Sequence, residues 1–206
     1  MEAYIIDGLR SAVTKSKRGG FRNFRSDDLA VLVIKALMAK YPMIESSLID
    51  DVIVGCANPE GEQGLQIGRN IASRALGKAV AGMTVNRYCA SGLETISIAT
   101  AKIRAGMGEI YIAGGAESMS LIPMTGYKMA PSYQAAMENV NYHVSMGATA
   151  EAVAEKYQVT REEADQFAYR SHQLAGRAIE QGSFASSILP VDVTEVMVEN
   201  NRRIEK

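Results

Sequence analysis

Tryptophan is absent from this 206-residue sequence, and cysteine and histidine occur only twice each. Two thiols, Cys56 and Cys89, cannot build a disulfide framework or a cysteine-rich zinc site. Free thiols suit a reducing compartment. Only His143 and His172 could serve as an imidazole base. Net charge is nearly nil, at −1 with pI ≈ 6.2, so no global charge imbalance draws the chain to nucleic acid or to an anionic membrane. No apolar run approaches a membrane-spanning length. The opening Ala3-Tyr4-Ile5-Ile6 lacks the basic start and apolar stretch of a signal peptide. A cytoplasmic protein with neither nucleic-acid nor membrane partners is expected. Other signatures are missing too. No Gly-x-Ser-x-Gly elbow occurs, Gly64, Gly68, Gly106 and Gly108 miss the dinucleotide and P-loop spacings, and no metal cluster is visible.

What is present suits a globular chain. Apolar residues make up 47% and charged residues 22%, enough for a real core in one large domain or one and a half ordinary ones. Residues 3–7 look like a buried strand, followed by a polar loop through Ser26. Leu29, Leu32, Val33, Ala36 and Leu37 recur at helical spacing behind Asp27 and Asp28, with Pro42 just beyond. Asp51–Cys56 reads as a strand, Gln63–Leu76 as a helix stopped by Gly77, and Met83–Asn86 as a strand. A helix from about Ala90 to Arg104 carries one charge before Ala101, Glu94, and small or apolar residues on all sides, the pattern of a helix buried all round. Glu109–Ala116 is a fourth strand. This βαβαβαβ order argues for an α/β layered domain with a mainly parallel sheet.

The pattern changes after Glu117. Residues 118–145 are irregular, with Met119, Pro123, Met124, Met129 and Pro131. Helix returns near Thr149–Tyr157. Another starts at Thr160, where Thr160 and Glu163 fit a capping box, with Ala164, Phe167, Ala168, Leu174, Ala175, Ala178 and Ile179 as its inward stripe. Residues 187–198 read as extended, ahead of a polar tail.

Chemistry concentrates at Cys89. It sits where a strand gives way to a helix, facing unpaired N–H groups and the positive end of the helix dipole, which favour a thiolate. Ala90, Ser91 and Gly92 leave the sulfur unobstructed, and a neighbouring backbone N–H could serve an oxyanion. A buried structural thiol is the competing reading for Cys89, and it is the favoured one for Cys56. Neither His143 nor His172 has the setting of a partner base. The basic loop Lys15–Arg25 reads as a solvated loop ahead of a site for a phosphorylated cofactor.

Val85-Asn86-Arg87-Tyr88-Cys89-Ala90-Ser91-Gly92-Leu93-Glu94 resembles the active-cysteine signature of thiolases. Gly114-Gly115-Ala116-Glu117-Ser118-Met119-Ser120 resembles their Gly-Gly-x-Glu-Ser-Met-Ser segment. Met146-Gly147-Ala148-Thr149-Ala150-Glu151 is similar to their Met-Gly-x-Thr-Ala-Glu motif, and Arg161–Ser171 to the helix that follows. The opening Arg10–Val13 and Lys15–Phe21 look most like degradative 3-ketoacyl-CoA thiolases.

The resemblance implies an acyltransferase that cleaves 3-ketoacyl-CoA to acetyl-CoA and a shortened acyl-CoA, or runs the reverse condensation. Coenzyme A and acyl-CoA are then substrates, and no cofactor is bound. Cys89 becomes the nucleophile and its N–H an oxyanion donor. Met146 lines the acyl site, while Ser91 and Gly92 shape the turn at the substrate. A homodimer or homotetramer is implied. The Gly-His-Pro, Asn-Glu-Ala-Phe and Cys-x-Gly segments of the family's second half do not occur here. The expected fold is therefore a thiolase-like N-terminal half with a buried central helix. Residues 1–117 form its α/β domain without the last strand, and residues 118–206 form a shortened, largely helical loop domain. A separate chain carrying the second half is the implied partner. Two alternatives stay open: a non-catalytic assembly subunit, and a related ketoacyl synthase.

Overall fold

The computed structural model describes residues 2–194, 196–199 and 202–205, the last two segments as backbone only. The chain divides into two compact units, Met1–Tyr127 with Ser187–Lys206, and Lys128–Ser186. The division falls ten residues beyond the expected Glu117 boundary, and residues 187–206 return to the first unit. Residues 118–127 stay with the first unit because Ile122 is buried and the Tyr127 hydroxyl bonds Glu62 (3.1 Å).

The first unit runs β1 (Arg10–Ser11), α1 (Ser26–Ala39), β2 (Asp51–Gly55), α2 (Ile67–Leu76), β3 (Ala81–Val85), α3 (Ser91–Arg104) and β4 (Tyr111–Gly115). Strands β3, β2 and β4 form a parallel sheet with β2 in the centre. Their registers are in step, so Gly55, Val85 and Gly115 end at one level. Every residue of β2 is buried, as a central parallel strand covered on both faces requires. Val52, Val54 and Cys56 point into a core with Val31 and Ile34 of α1 and Ile67, Ile71 and Ala72 of α2. The opposite face meets α3. A Cβ built on Gly55 would lie 2.6 Å from the Ser91 carbonyl carbon, so only glycine allows the helix this close. Gly68 likewise brings α2 against the Met83 carbonyl of β3. Helix α2 ends as expected at Gly77, whose φ is +105°.

Three expectations about burial change. Tyr4, Ile5 and Ile6 pair with no strand among the described residues and are 72%, 81% and 74% exposed. Only Arg10–Ser11 finds a partner, Ile188–Leu189 (β5 in chain order after the second unit), in parallel. Helix α3 buries a single stripe, Ser91, Thr95 and Ala99, and leaves Leu93 72% exposed. Its composition suits burial all round, but among the described residues only the sheet side is covered.

The second unit contains α4 (Tyr133–Glu138), α5 (Met146–Tyr157) and α6 (Arg161–Glu180). The capping box at α6 is present: Glu163 N–H donates to Thr160 Oγ1 at 3.2 Å and the Thr160 N–H donates to Glu163 at 2.8 Å. The expected inward stripe of α6 is not buried, and Phe167, Leu174 and Ile179 are exposed. Periodicity identified the helix; nothing among the described residues covers that face. Back in the first unit, β6 (Val196–Glu199) lies at the end of the stretch expected to be extended, and it pairs antiparallel with β7 (Arg202–Glu205), where a polar tail was expected.

Candidate active site

The carboxyl ends of parallel strands leave backbone groups and loops free to build a site. Here that edge gathers the segments after β2, β3 and β4. Strand β3 runs into Asn86, the chain turns through Arg87, Tyr88 and Cys89, and α3 begins at Ser91. Tyr88 has φ +47°, in the left-handed region. That conformation costs a residue with a Cβ roughly 1–2 kcal/mol, so other contacts must hold it.

They come from two sides. On the helix side, Ser91 is buried and its hydroxyl is fully used. It accepts the Arg87 N–H (2.8 Å) and donates to the Tyr88 carbonyl (2.6 Å), which also accepts the Ser91 N–H (3.0 Å). On the sheet side, the Asn86 carboxamide accepts the Tyr88 N–H (2.9 Å) and donates to the Ala57 carbonyl (2.9 Å). The Tyr88 carbonyl thus points at Ser91. In a trans peptide the next N–H points the opposite way, so the Cys89 N–H faces away from the start of α3. It donates to none of the described residues. The Cys89 side chain is exposed, and Gly92 has open space where a Cβ would stand. An accessible sulfur beside an uncommitted N–H is the geometry needed to attack a carbonyl and hold the resulting oxyanion.

The other thiol is a contrast. Cys56 is buried 1% exposed at the end of β2. Burial, and then the negative charge of Glu117, push its pKa up to about 12. It is a neutral core thiol at ordinary pH, as its sequence setting implied.

Glu117, Gln63 and Asn86 were named by no chemical pattern. Gln63 is wholly buried and accepts from Ser26 Oγ at 3.1 Å. Its amide donates to the Asn58 carbonyl (2.9 Å) and to Glu117 (2.5 Å). The other Glu117 oxygen accepts the Ala57 N–H at 2.6 Å. The family-like segment that contains Glu117 was the available signal.

Cys89, Ser91 and Gly92 share one turn. Met146 belongs to the second unit, where it is the first residue of α5 and 74% exposed. His143 ends a 3-10 turn, Val140–His143, and His172 lies within α6, both in that same second unit. The basic loop is tied down, with Ser16 Oγ donating to the Met119 carbonyl (2.8 Å) and the Lys17 N–H to Ser120 Oγ (2.9 Å). Among the described residues no group of His, Cys, Asp and Glu could hold a metal ion, and no helix is long and apolar enough to cross a membrane.

A strand-turn-helix thiol at the carboxyl edge of a parallel sheet defines a class that comparison with known proteins makes specific. A family model described as "Thiolase, N-terminal domain" matches residues 3–205, and the chain belongs to the thiolase family. It is 46% identical over 207 aligned residues to a 3-ketoacyl-CoA thiolase of Bacillus subtilis (strain 168), covering 100% of this chain and 53% of that protein. A 3-ketoacyl-CoA thiolase of Chromohalobacter salexigens is 40% identical over 190 residues, covering 91% of this chain and 48% of its own. The crystal structure of the Bacillus anthracis acetyl-CoA acetyltransferase superposes with a TM-score of 0.72 at 30% identity, covering 96% of this chain and 51% of that one. The expected thiolase-like α/β fold is borne out. The chain spans about half the length of the curated relatives it matches.

Proposed function

We propose that this chain carries the nucleophile half of a thiolase-type acyltransferase. The Cys89 thiolate attacks the 3-keto carbonyl of a 3-ketoacyl-CoA, and the Cys89 N–H receives the oxyanion. As the carbonyl re-forms, the bond between C2 and C3 breaks and its electron pair leaves on acetyl-CoA, which takes up a proton. The acyl group, now a thioester on Cys89, passes to the thiol of coenzyme A. The reverse sequence condenses two acyl-CoA molecules. Gly92 keeps the approach to Cys89 open in this reading. The groups that move the protons belong to the family's second half, supplied by another polypeptide segment. Assembly into a homodimer or homotetramer and a cytoplasmic location complete the proposal.

The carrying observation is the exposed Cys89 beside its uncommitted N–H. The test is mass spectrometry of the chain after incubation with acetyl-CoA. We expect an acetyl group on Cys89, matched by released coenzyme A, and none in Cys89→Ser. Sustained cleavage of acetoacetyl-CoA should require a second chain carrying the remaining half. Failure to acetylate Cys89 refutes the nucleophile assignment. Steady turnover by the 206 residues alone refutes the need for a second half.

The exposed Tyr4, Ile5, Ile6 and Leu93 support one other reading, an assembly subunit without chemistry. Light scattering on Cys89→Ala, read together with acetylation of the unaltered chain, separates the two: assembly survives the change in both readings, and only the assembly subunit leaves the unaltered Cys89 without an acetyl group.

A further inference from the structure

We infer that Asn86 is a positioning residue that aims the Cys89 N–H at the reacting carbonyl, an inference that rests on the acyl-Cys89 reading. A carbonyl attack needs two things from this turn: an accessible sulfur and a correctly directed N–H. The first requires only exposure. The second requires that the Tyr88–Cys89 peptide plane be fixed, and that plane follows a residue held at φ +47°.

Ser91 holds the plane through the Tyr88 carbonyl. One anchor leaves the peptide free to rock about it. Asn86 supplies the second, on the other side of Tyr88, by accepting the Tyr88 N–H at 2.9 Å. The same carboxamide is not loose. Its amide nitrogen donates to the Ala57 carbonyl at 2.9 Å, and the Ala57 N–H donates to Glu117 at 2.6 Å. Glu117 is in turn held by the buried Gln63 amide. A continuous run of hydrogen bonds therefore connects the core end of β2 and the segment after β4 to the residue preceding the nucleophile. Asparagine suits the position because a single side chain must both accept and donate, which neither aspartate nor leucine does.

Two reactions of the same sulfur separate aiming from access. Acetylation by acetyl-CoA passes through an oxyanion and uses the N–H. Alkylation by iodoacetamide displaces iodide at a saturated carbon and uses no oxyanion donor. In Asn86→Ala, acetylation of Cys89 should slow by about tenfold to a hundredfold, the range for a misdirected reacting group. Alkylation should keep close to its original rate. Cys56 reports folding, because a buried thiol stays unlabelled while the core is intact. If Asn86→Ala exposes Cys56, the same comparison is made in Asn86→Asp, which keeps the oxygen facing Tyr88 and loses the donor to Ala57. There the expected selective loss is smaller than tenfold but in the same direction. Acetylation unchanged, or both reactions slowed equally with Cys56 still protected, overturns the role of Asn86 and leaves the nucleophile assignment standing. Absence of acetyl-Cys89 in the unaltered chain overturns both.

Discussion

Replacing Gly55 by alanine tests the packing that sets the position of the candidate nucleophile. The added Cβ would stand 2.6 Å from the Ser91 carbonyl carbon, 2.7 Å from its oxygen and 2.8 Å from the Gly92 nitrogen. All three are backbone atoms, so no side chain can swing away. The strand cannot retreat either. The Gly55 carbonyl accepts the Ala116 N–H (3.0 Å) and the next N–H, of Cys56, donates to Val85 (3.0 Å). To regain a contact of about 3.4 Å, the start of α3 must move by about 0.8 Å. Overpacking of this kind costs about 1–3 kcal/mol. Alanine recovers about 0.4–1 kcal/mol by restricting the unfolded chain. At the centre of these ranges the net loss is about 1.3 kcal/mol, which lowers a urea midpoint by about 0.6 M at a slope near 2 kcal/mol/M. With no tryptophan available, far-ultraviolet circular dichroism and labelling of the neighbouring Cys56 thiol are the suitable probes. Because the displaced turn includes Cys89, its acetylation should slow as well. An unchanged midpoint would show that α3 does not rest on Gly55 as described.

Two further outcomes follow from buried charge and a buried thiol. The folded pKa of Cys56, about 12, lies above the value of 9.0 for a free thiol, so its neutral form is favoured by folding. That contribution is complete below pH 9.0 and is lost as pH rises toward about 12. Alkaline titration should show a steeper stability loss in the native sequence than in Cys56→Ala. Lys102 pairs with Asp51 at 2.9 Å at the other end of β2, where the second Asp51 oxygen is buried without a hydrogen-bond partner. Lys102→Met should destabilise by about 2–4 kcal/mol, because it strands a largely buried carboxylate. Adding Asp51→Asn should restore much of the loss in the same denaturation assay.

The sheet and its helices were legible because their signals are local. The runs read at 51–56, 83–86 and 109–116, which overlap the strands at 51–55, 81–85 and 111–115, Gly77 as a stop and the Thr160–Glu163 box each need only a few neighbouring residues. The Cys89 turn was legible for the same reason. Exposure was not. Tyr4–Ile6, the outer face of α3 and the Phe167–Ile179 stripe are apolar in sequence whether or not anything covers them. Nor could sequence join Ala57, Asn86 and Glu117. Their contact arises from the in-step register of three parallel strands, and isolated polar residues carry no periodic mark.

The pairing of Arg10–Ser11 with Ile188–Leu189 bears on how the protein is born. The three-stranded sheet uses only residues 51–115 and can form while the ribosome is still working. The first segment cannot be clasped until residue 189 has emerged, roughly four to fifteen seconds after residue 115 at ordinary elongation rates. Throughout that interval Arg10 and Ser11 lack their strand partner, while Tyr4, Ile5 and Ile6 are exposed in the finished fold as well. The order of synthesis therefore decides when the two sequence-distant strands of the first unit can meet, which the final contacts alone do not reveal.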